Sequence, residues 1–330
     1  VTRLWVDAWD PSYAAADQGD GPAQDSTAQL DTGVEVPPES WAPVPYPADL
    51  RAPDTVLLVD GVRRNDARVW TGEPDGSSYP GLAASYAAGV VRCDLRRGAA
   101  ALAMTIVERG LFTASPTAAD LACGQVRYPV HRVQAEDPQK LLATVQGPLN
   151  ALEVRAARDA DDDRSALLVV DGPLRGRADL SSAPSEASPR PATPFPRAIG
   201  YIKTHQRRYL PPELAVVVTG LTAGQRSPVF RLGTSWHRYT WYLRLPGASG
   251  APWSGMIRAE CSIELTTPQA VALADLSVVT LPRFAATAYK DPRAPQNLIP
   301  IAGLEQRLRA RLGDPRLLHR ALTRAAGATH

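Results

Sequence analysis

Four acids and a lysine stand out by type and by place. VLLVDG (residues 56–61) and LLVVDG (167–172) each run four aliphatic residues into an Asp-Gly, ending on Asp60 and Asp171. Glu153 comes four residues after Leu149, beside an apolar helical stripe, and Asp291 lies in YKDPRAPQNL. Lys203, in AIGYIKTHQRRYL, is one of three lysines, with Lys140 and Lys290. Carboxylates gathered at one point repel each other and are costly to desolvate, so such a group persists where cations neutralise it. Hard divalent ions suit Asp and Glu oxygens, and two of them can activate a water and support in-line attack at phosphorus. Lys203 would then offset phosphate charge, with His205, Arg207 and Arg208 gripping flanking phosphates. Each residue also has a plain reading. Asp-Gly is a common turn, a helical glutamate is usually solvated, and a lysine at a strand end is usually a surface residue.

The elements that would carry these groups follow from periodicity. TVLLVD reads as a strand, ARVWTG as a second, SYAAGVVRCDL as a third, and AALAMTIVERGLF as one long strand or a pair. Short turns between them imply an antiparallel meander. Residues 137–160 carry Leu149, Leu152 and Ala156 at helical spacing, a helix with a break expected near Gly147-Pro148, and SALLVVD follows as a strand. This order, with a crossover helix before a strand parallel to the first, would set Asp60 beside Asp171. It is the order of a ribonuclease H-like fold. Downstream, SSAPSEASPRPATPFP (181–196) reads as a loop, AIGYIKTH as a strand and PELAVVVTGL as helix or strand. VFRLG, RYTWYLRLP and MIRAECSIEL read as three strands, and TPQAVALADLSVV and DPRAPQNLIPIAGLEQRLRARL as largely helical. The expected class is α/β, a ribonuclease H-like mixed sheet flanked by helices, with additional antiparallel strands.

Composition bounds the partners. Residues 1–54 hold ten acids against Arg3 and Arg51, while the whole chain carries 36 basic and 34 acidic residues, so residues 55–330 are basic on balance. The first 54 residues read as an acidic irregular arm pinned by Trp5, Trp9 and Trp41, and 55–330 as the folded domain. A basic remainder is compatible with a polyanion and equally with codon bias toward arginine. Cys93, Cys123 and Cys261 form no CxxC pair, which points to core thiols rather than zinc or disulfides. No leader pattern or run of eighteen apolar residues occurs, so the expectation is a cytoplasmic protein off the membrane. In SWHRYTWYLRLP, Trp236 and Arg238 can stack bases and neutralise phosphate or simply pack as a strand; Glu260 reads as a solvent-facing strand residue. The terminal helices set arginines, Arg307 and Arg309 among them, against Glu305 and Asp314. No GxxxxGK[ST] occurs, so ATP-driven movement would belong to another protein.

LLVDGVRR, LNALEVRAARDADDDRSALLVVDGPL, AIGYIKTHQRRYL and KDPRAPQNLIPIAGLEQRLR resemble, in this order from about residue 55 to the C-terminus, the segments of the NurA nucleases, particularly a compact bacterial branch. The resemblance implies a ribonuclease H-like core and a manganese-dependent deoxyribonuclease, magnesium being the alternative ion, that cuts single strands and DNA ends. It also implies a homodimer working with the hexameric HerA translocase in double-strand break processing. The family's carboxylates fall on Asp60, Glu153 and Asp171, with Asp291 a further candidate ligand. Val62 and Pro173 stand where the family often has serine after Asp-Gly. The different-class alternative is a non-catalytic subunit that keeps the fold to bind DNA or the motor.

Overall fold

The computed structural model of the protein describes residues 24–25, 28–135, 137–160, 166–177, 197–204, 207–247 and 252–327. The principal strands are β1 (Thr55–Gly72), β2 (Ser78–Asp94), β3 (Ala99–Thr113), β4 (Val130–Arg132), β5 (Leu167–Asp171), β6 (Ala198–Ile202), β7 (Phe230–Gly233), β8 (His237–Arg244) and β9 (Met256–Ser262). The helices are α1 (Pro138–Thr144), α2 (Gln146–Ala160), α3 (Pro212–Thr219), α4 (Thr267–Thr280), α5 (Ile299–Arg311) and α6 (Pro315–Gly327). They build an α/β protein around a 12-stranded mixed sheet whose main path runs Gln29–Asp31, β7, β8, β9, β6, β5, β1, β2, β3, β4. Among the described residues no helix is long and apolar enough to cross a membrane.

β1 corrects one expectation. TVLLVD and ARVWTG are a single 18-residue strand, and Asp60-Gly61 lies inside it rather than at a turn. Val56 to Val59 are fully buried, and a period-two burial pattern takes over beyond Val62. A continuous apolar run followed by alternation is one strand passing from a covered region to a half-exposed one, though it reads as two elements in sequence. AALAMTIVERGLF is likewise one strand, β3. β1, β2 and β3 are consecutive sheet neighbours joined by residues 73–77 and 95–98. Connections that short allow only antiparallel pairing.

By its contacts the chain divides into two compact units, Val1–Leu58 with Arg92–Ala100 and Asp163–Ala302, and Val59–Val91 with Ala101–Asp162 and Gly303–His330. In the first, β5 is buried along LLVV and pairs in parallel with β6, as expected of a strand covered on both faces. β6 is antiparallel to β9, β9 to β8 and β8 to β7. PELAVVVTGL is helical, its Pro212 sitting in the first turn where no N–H is needed. α4 opens on a capping box of Thr266 and Gln269. Residues 28–54 are woven into this unit: Gln29–Asp31 pairs with β7, Val44–Pro45 pairs with Gln225–Arg226, and Trp41 is buried, its indole N–H donating to Thr32 O at 2.9 Å. Arg226, 1% exposed, donates to Glu35 at 2.8 and 2.9 Å and to Asp275 at 2.7 Å. Trp5 and Trp9 lie outside the described residues, as does the loop 181–196.

In the second unit the helical segment breaks at Val145, between α1 and α2, so that Gly147-Pro148 falls in the first turn of α2. Proline is tolerated there because first-turn N–H groups have no intrahelical acceptor. Leu149, Leu152, Glu153, Ala156, Ala157 and Ala160 form the buried stripe of α2.

Candidate metal centre

Asp60 is 7% exposed and accepts the Gly61 N–H on Oδ1 at 2.8 Å. α2 packs closely on β1 at Gly61: a Cβ there would stand 2.5 Å from Glu153 Oε1 and 2.7 Å from Leu149 Cδ1. Glycine at 61 is thus required by packing, not by a turn, and its consequence is that the Glu153 carboxylate rests against the residue next to Asp60. Glu153 is 2% exposed. The solvated-helix reading fails because the residue sits within the apolar stripe rather than outside it.

A third acid joins from α5. Leu304 and Leu308 pack over Gly89 of β2, where a Cβ would meet their methyls at 3.0 and 3.1 Å, and this sets the helix in place. Its C-terminal end is fixed as well. Gly313 takes φ +83°, Arg64 donates to Gly313 O at 2.7 Å and Leu312 O at 3.2 Å, and Arg109 donates to Leu312 O at 3.3 Å. Asp66, buried, holds Arg64 at 2.9 Å and accepts the Tyr128 hydroxyl at 2.9 Å. Cationic side chains on terminal carbonyls complement the negative end of the helix. Glu305 on this helix and Asp60 offer carboxylate oxygens within 4.8 Å of each other. Sequence reasoning counted Glu305 only as a charge on a basic helix. The usable signal was its spacing: Glu305 follows buried Ile301 by four residues, just as Glu153 follows buried Leu149.

The other unit carries a second polar group. Asp171 ends β5 opposite Tyr201 of β6, and Gly172 turns the chain with φ +106°, so here the Asp-Gly does end a strand. Lys203 Nζ donates to Asp171 Oδ2 at 2.5 Å and to Asn297 Oδ1 at 3.3 Å. Asn297, fully buried, donates through Nδ2 to Asp291 Oδ2 at 2.5 Å. Asp291 Oδ1 accepts the Arg293 N–H at 2.8 Å. Burial pushes the Asp291 carboxyl upward, but the Asn297 hydrogen bond and the Arg293 contacts outweigh it and hold the pKa below the usual aspartate range. The Tyr201 phenol, fully enclosed and donating to Gln296 O at 2.6 Å, is pushed well above its ordinary value by burial and then by the Asp171 charge. Asp171, Lys203 and Asp291 are therefore members of one hydrogen-bonded chain. Asn297, its central link, was not singled out in sequence because an isolated asparagine carries no periodic signal.

The nucleic-acid candidates fare unevenly. Arg238 is 4% exposed, with Nε 3.0 Å from Glu260 Oε2 and Nη1 donating to Thr234 Oγ1 at 3.2 Å. Burial draws its pKa down against the pull of Glu260. Its guanidinium is committed inside the protein, over the Trp236 ring at 4.8 Å, rather than presented to a phosphate. Glu260 is fully buried, not solvent-facing, and also takes Arg258 at 2.9 Å and the Leu174 N–H at 2.8 Å. Burying a carboxylate between two guanidiniums is the arrangement that makes its desolvation tolerable. Trp236 is partly exposed. Arg207-Arg208 pairs as a short parallel strand with Gln24-Asp25, and Arg208 is exposed. His205 lies outside the described residues.

No known family model matches the chain, and no curated protein matches it either.

Proposed function

We propose that the protein is a metal-dependent deoxyribonuclease of the NurA type, with a ribonuclease H-like core, acting on single strands and DNA ends. The observation that carries the reading is the Asp60, Glu153 and Glu305 group: two carboxylates whose oxygens approach within 4.8 Å and a third, 2% exposed, packed on Gly61. Asp60 and Glu153 are buried and Glu305 partly so, and carboxylates gathered in this way are favoured by cationic neutralisation. The donors are all carboxylate oxygens, which fits a hard ion such as Mn2+ or Mg2+ better than zinc. Asp171 is proposed as a further ligand. In support, its strand β5 is the hydrogen-bonded neighbour of β1, and the local order β3, β2, β1, β5, β6, with α2 between β3 and β5 in the chain, is that expected of a ribonuclease H-like sheet. Asp291, which accepts the Asn297 amide, remains a further candidate ligand.

When bound, two such ions supply charge neutralisation at a phosphodiester and acidify water. The chain's own part is to position and to balance charge. Gly61 lets α2 bring Glu153 against the residue next to Asp60. Arg64 and Arg109 hold the end of α5 and so the place of Glu305. Lys203, oriented by Asp171 and Asn297, donates to a non-bridging phosphate oxygen. Two-fold assembly, the HerA-type motor and double-strand break processing come from the sequence resemblance, and a cytoplasmic place from the absence of a leader pattern or long apolar run in the sequence.

The test is cleavage of end-labelled single-stranded DNA in Mn2+ by the parent, Asp60→Ala and Asp171→Ala. The proposal expects cleavage by the parent and a loss of at least about 100-fold in each variant. Variants that cleave as well as the parent would refute the assignment. A parent that binds DNA without cutting it makes the protein the non-catalytic alternative.

A further inference from the structure

Tyr289 is 81% exposed, the most exposed large apolar side chain among the described residues. A single exposed apolar residue needs no explanation by itself. Its setting is what asks for one. The ring stands on a tied-down turn: the Lys290 and Asp291 N–H groups donate to Thr287 O at 2.9 and 3.1 Å, the Ala294 N–H to Asp291 O at 3.0 Å, and Ala285 bridges Leu298 at the base. Phe284, Ala286 and Asn297 root that turn in the protein interior. Lys290, one of three lysines in an arginine-rich chain, places Nζ 5.3 Å from the ring centroid. Two residues beyond Tyr289, Asp291 begins the hydrogen-bonded chain through Asn297 and Lys203 to Asp171.

We propose that Tyr289 and Lys290 are a single-strand recognition element, the ring stacking on an unpaired base and the ammonium meeting its phosphate, at the edge of the Asp291–Asn297–Lys203–Asp171 chain. The inference rests on the nuclease reading and names the substrate form that the site selects. A base offers its face to an exposed ring only when unstacked, so the pair discriminates single strands from duplex without reading sequence. The turn is already ordered, so little freedom is lost when the base docks. A lysine beside the ring favours nucleic acid over an apolar protein contact, because stacking and phosphate neutralisation are then met by one nucleotide.

The test is fluorescence anisotropy with a labelled 12-nucleotide single strand and the matching blunt duplex, in EDTA so that no cleavage intervenes, across a salt series. Tyr289→Ala should weaken single-strand binding by about 10-fold and duplex binding by less than about 2-fold, while Tyr289→Phe retains the parent affinity. Lys290→Gln should reduce the slope of log affinity against log salt by about 0.7, the share of one phosphate contact on a single strand. Thermal melting checks that the variants fold. Parent-like single-strand binding by Tyr289→Ala overturns the inference, as does equal loss on both DNAs, or an effect seen only when a protein partner is added. Those outcomes leave the Mn2+ cleavage assay untouched. A parent that binds neither DNA overturns the nuclease reading and this inference together.

Discussion

Replacing Gly61 with alanine adds one methyl where Glu153 and Leu149 of α2 pack closely on β1. The new Cβ would lie 2.5 Å from Glu153 Oε1, so the carboxylate must retreat by about 0.9 Å to reach the 3.4 Å of ordinary contact. Leu149 Cδ1, at 2.7 Å, must move by about 0.7 Å. Both atoms are side-chain tips on the same face of α2, with Leu149 4% and Glu153 2% exposed, so the clash is relieved by shifting these buried tips rather than the backbone. Alanine takes strand geometry without difficulty, so the cost is steric rather than a backbone strain. Overpacking of this kind costs about 1–3 kcal/mol. A displacement of about 1 Å in a group that holds a reacting centre costs on the order of 100-fold in rate. Urea denaturation of Gly61→Ala should therefore show a lower midpoint, and Mn2+-dependent cleavage should fall far more than stability alone explains. If Gly61→Ala matches the parent in both, Glu153 does not rest against this strand and the packing argument is wrong.

Glu35→Ala should lower unfolding free energy by about 3 kcal/mol in urea denaturation, because it leaves Arg226, 1% exposed, with Asp275 as its remaining carboxylate. A loss under about 1 kcal/mol would mean that residues 28–54 are not a structural part of the sheet. Glu73 is held below the usual glutamate range by the Ser115 and Thr117 hydroxyls at 2.5 and 2.6 Å. A depressed carboxyl contributes stability above its unfolded-state pKa and loses it as pH falls through the folded value. Ser115→Ala should thus lower Tm at neutral pH, with the difference from the parent shrinking on acidification below about pH 4, and should raise the Glu73 pKa in a carbon-13 NMR titration. An unchanged titration would remove Ser115 from that role.

How much of this was visible in sequence can be judged element by element. The strand, strand, strand, helix, strand order was legible because burial imposes simple periods, and β5 with its terminal Asp171 was read at its observed end. Asp60-Gly61 was misread as a strand end. The Asp-Gly pair is the same at 60–61 and 171–172, but Val62 continues the strand whereas Pro173 lacks a ladder N–H and Gly172 turns with φ +106°, and at Gly61 α2 packs on the strand. The same limit hid Glu305 and Asn297, whose roles depend on where a helix and a turn dock. Glu260 reads as solvent-facing and Arg238 as a phosphate contact or a packed strand residue, whereas the sheet buries the two as a mutually neutralising pair. Periodicity reports which face is covered; it does not report what a polar residue on that face meets.

Manganese binding read by electron paramagnetic resonance tests the central claim most directly, because it needs no substrate. Titrating the parent with Mn2+ should show saturable loss of the free-ion signal, and Asp60→Asn, folded as judged by thermal melting, should lose that saturation. A parent that leaves the free-ion signal unchanged, or an Asp60→Asn variant that binds as the parent does, would contradict the account.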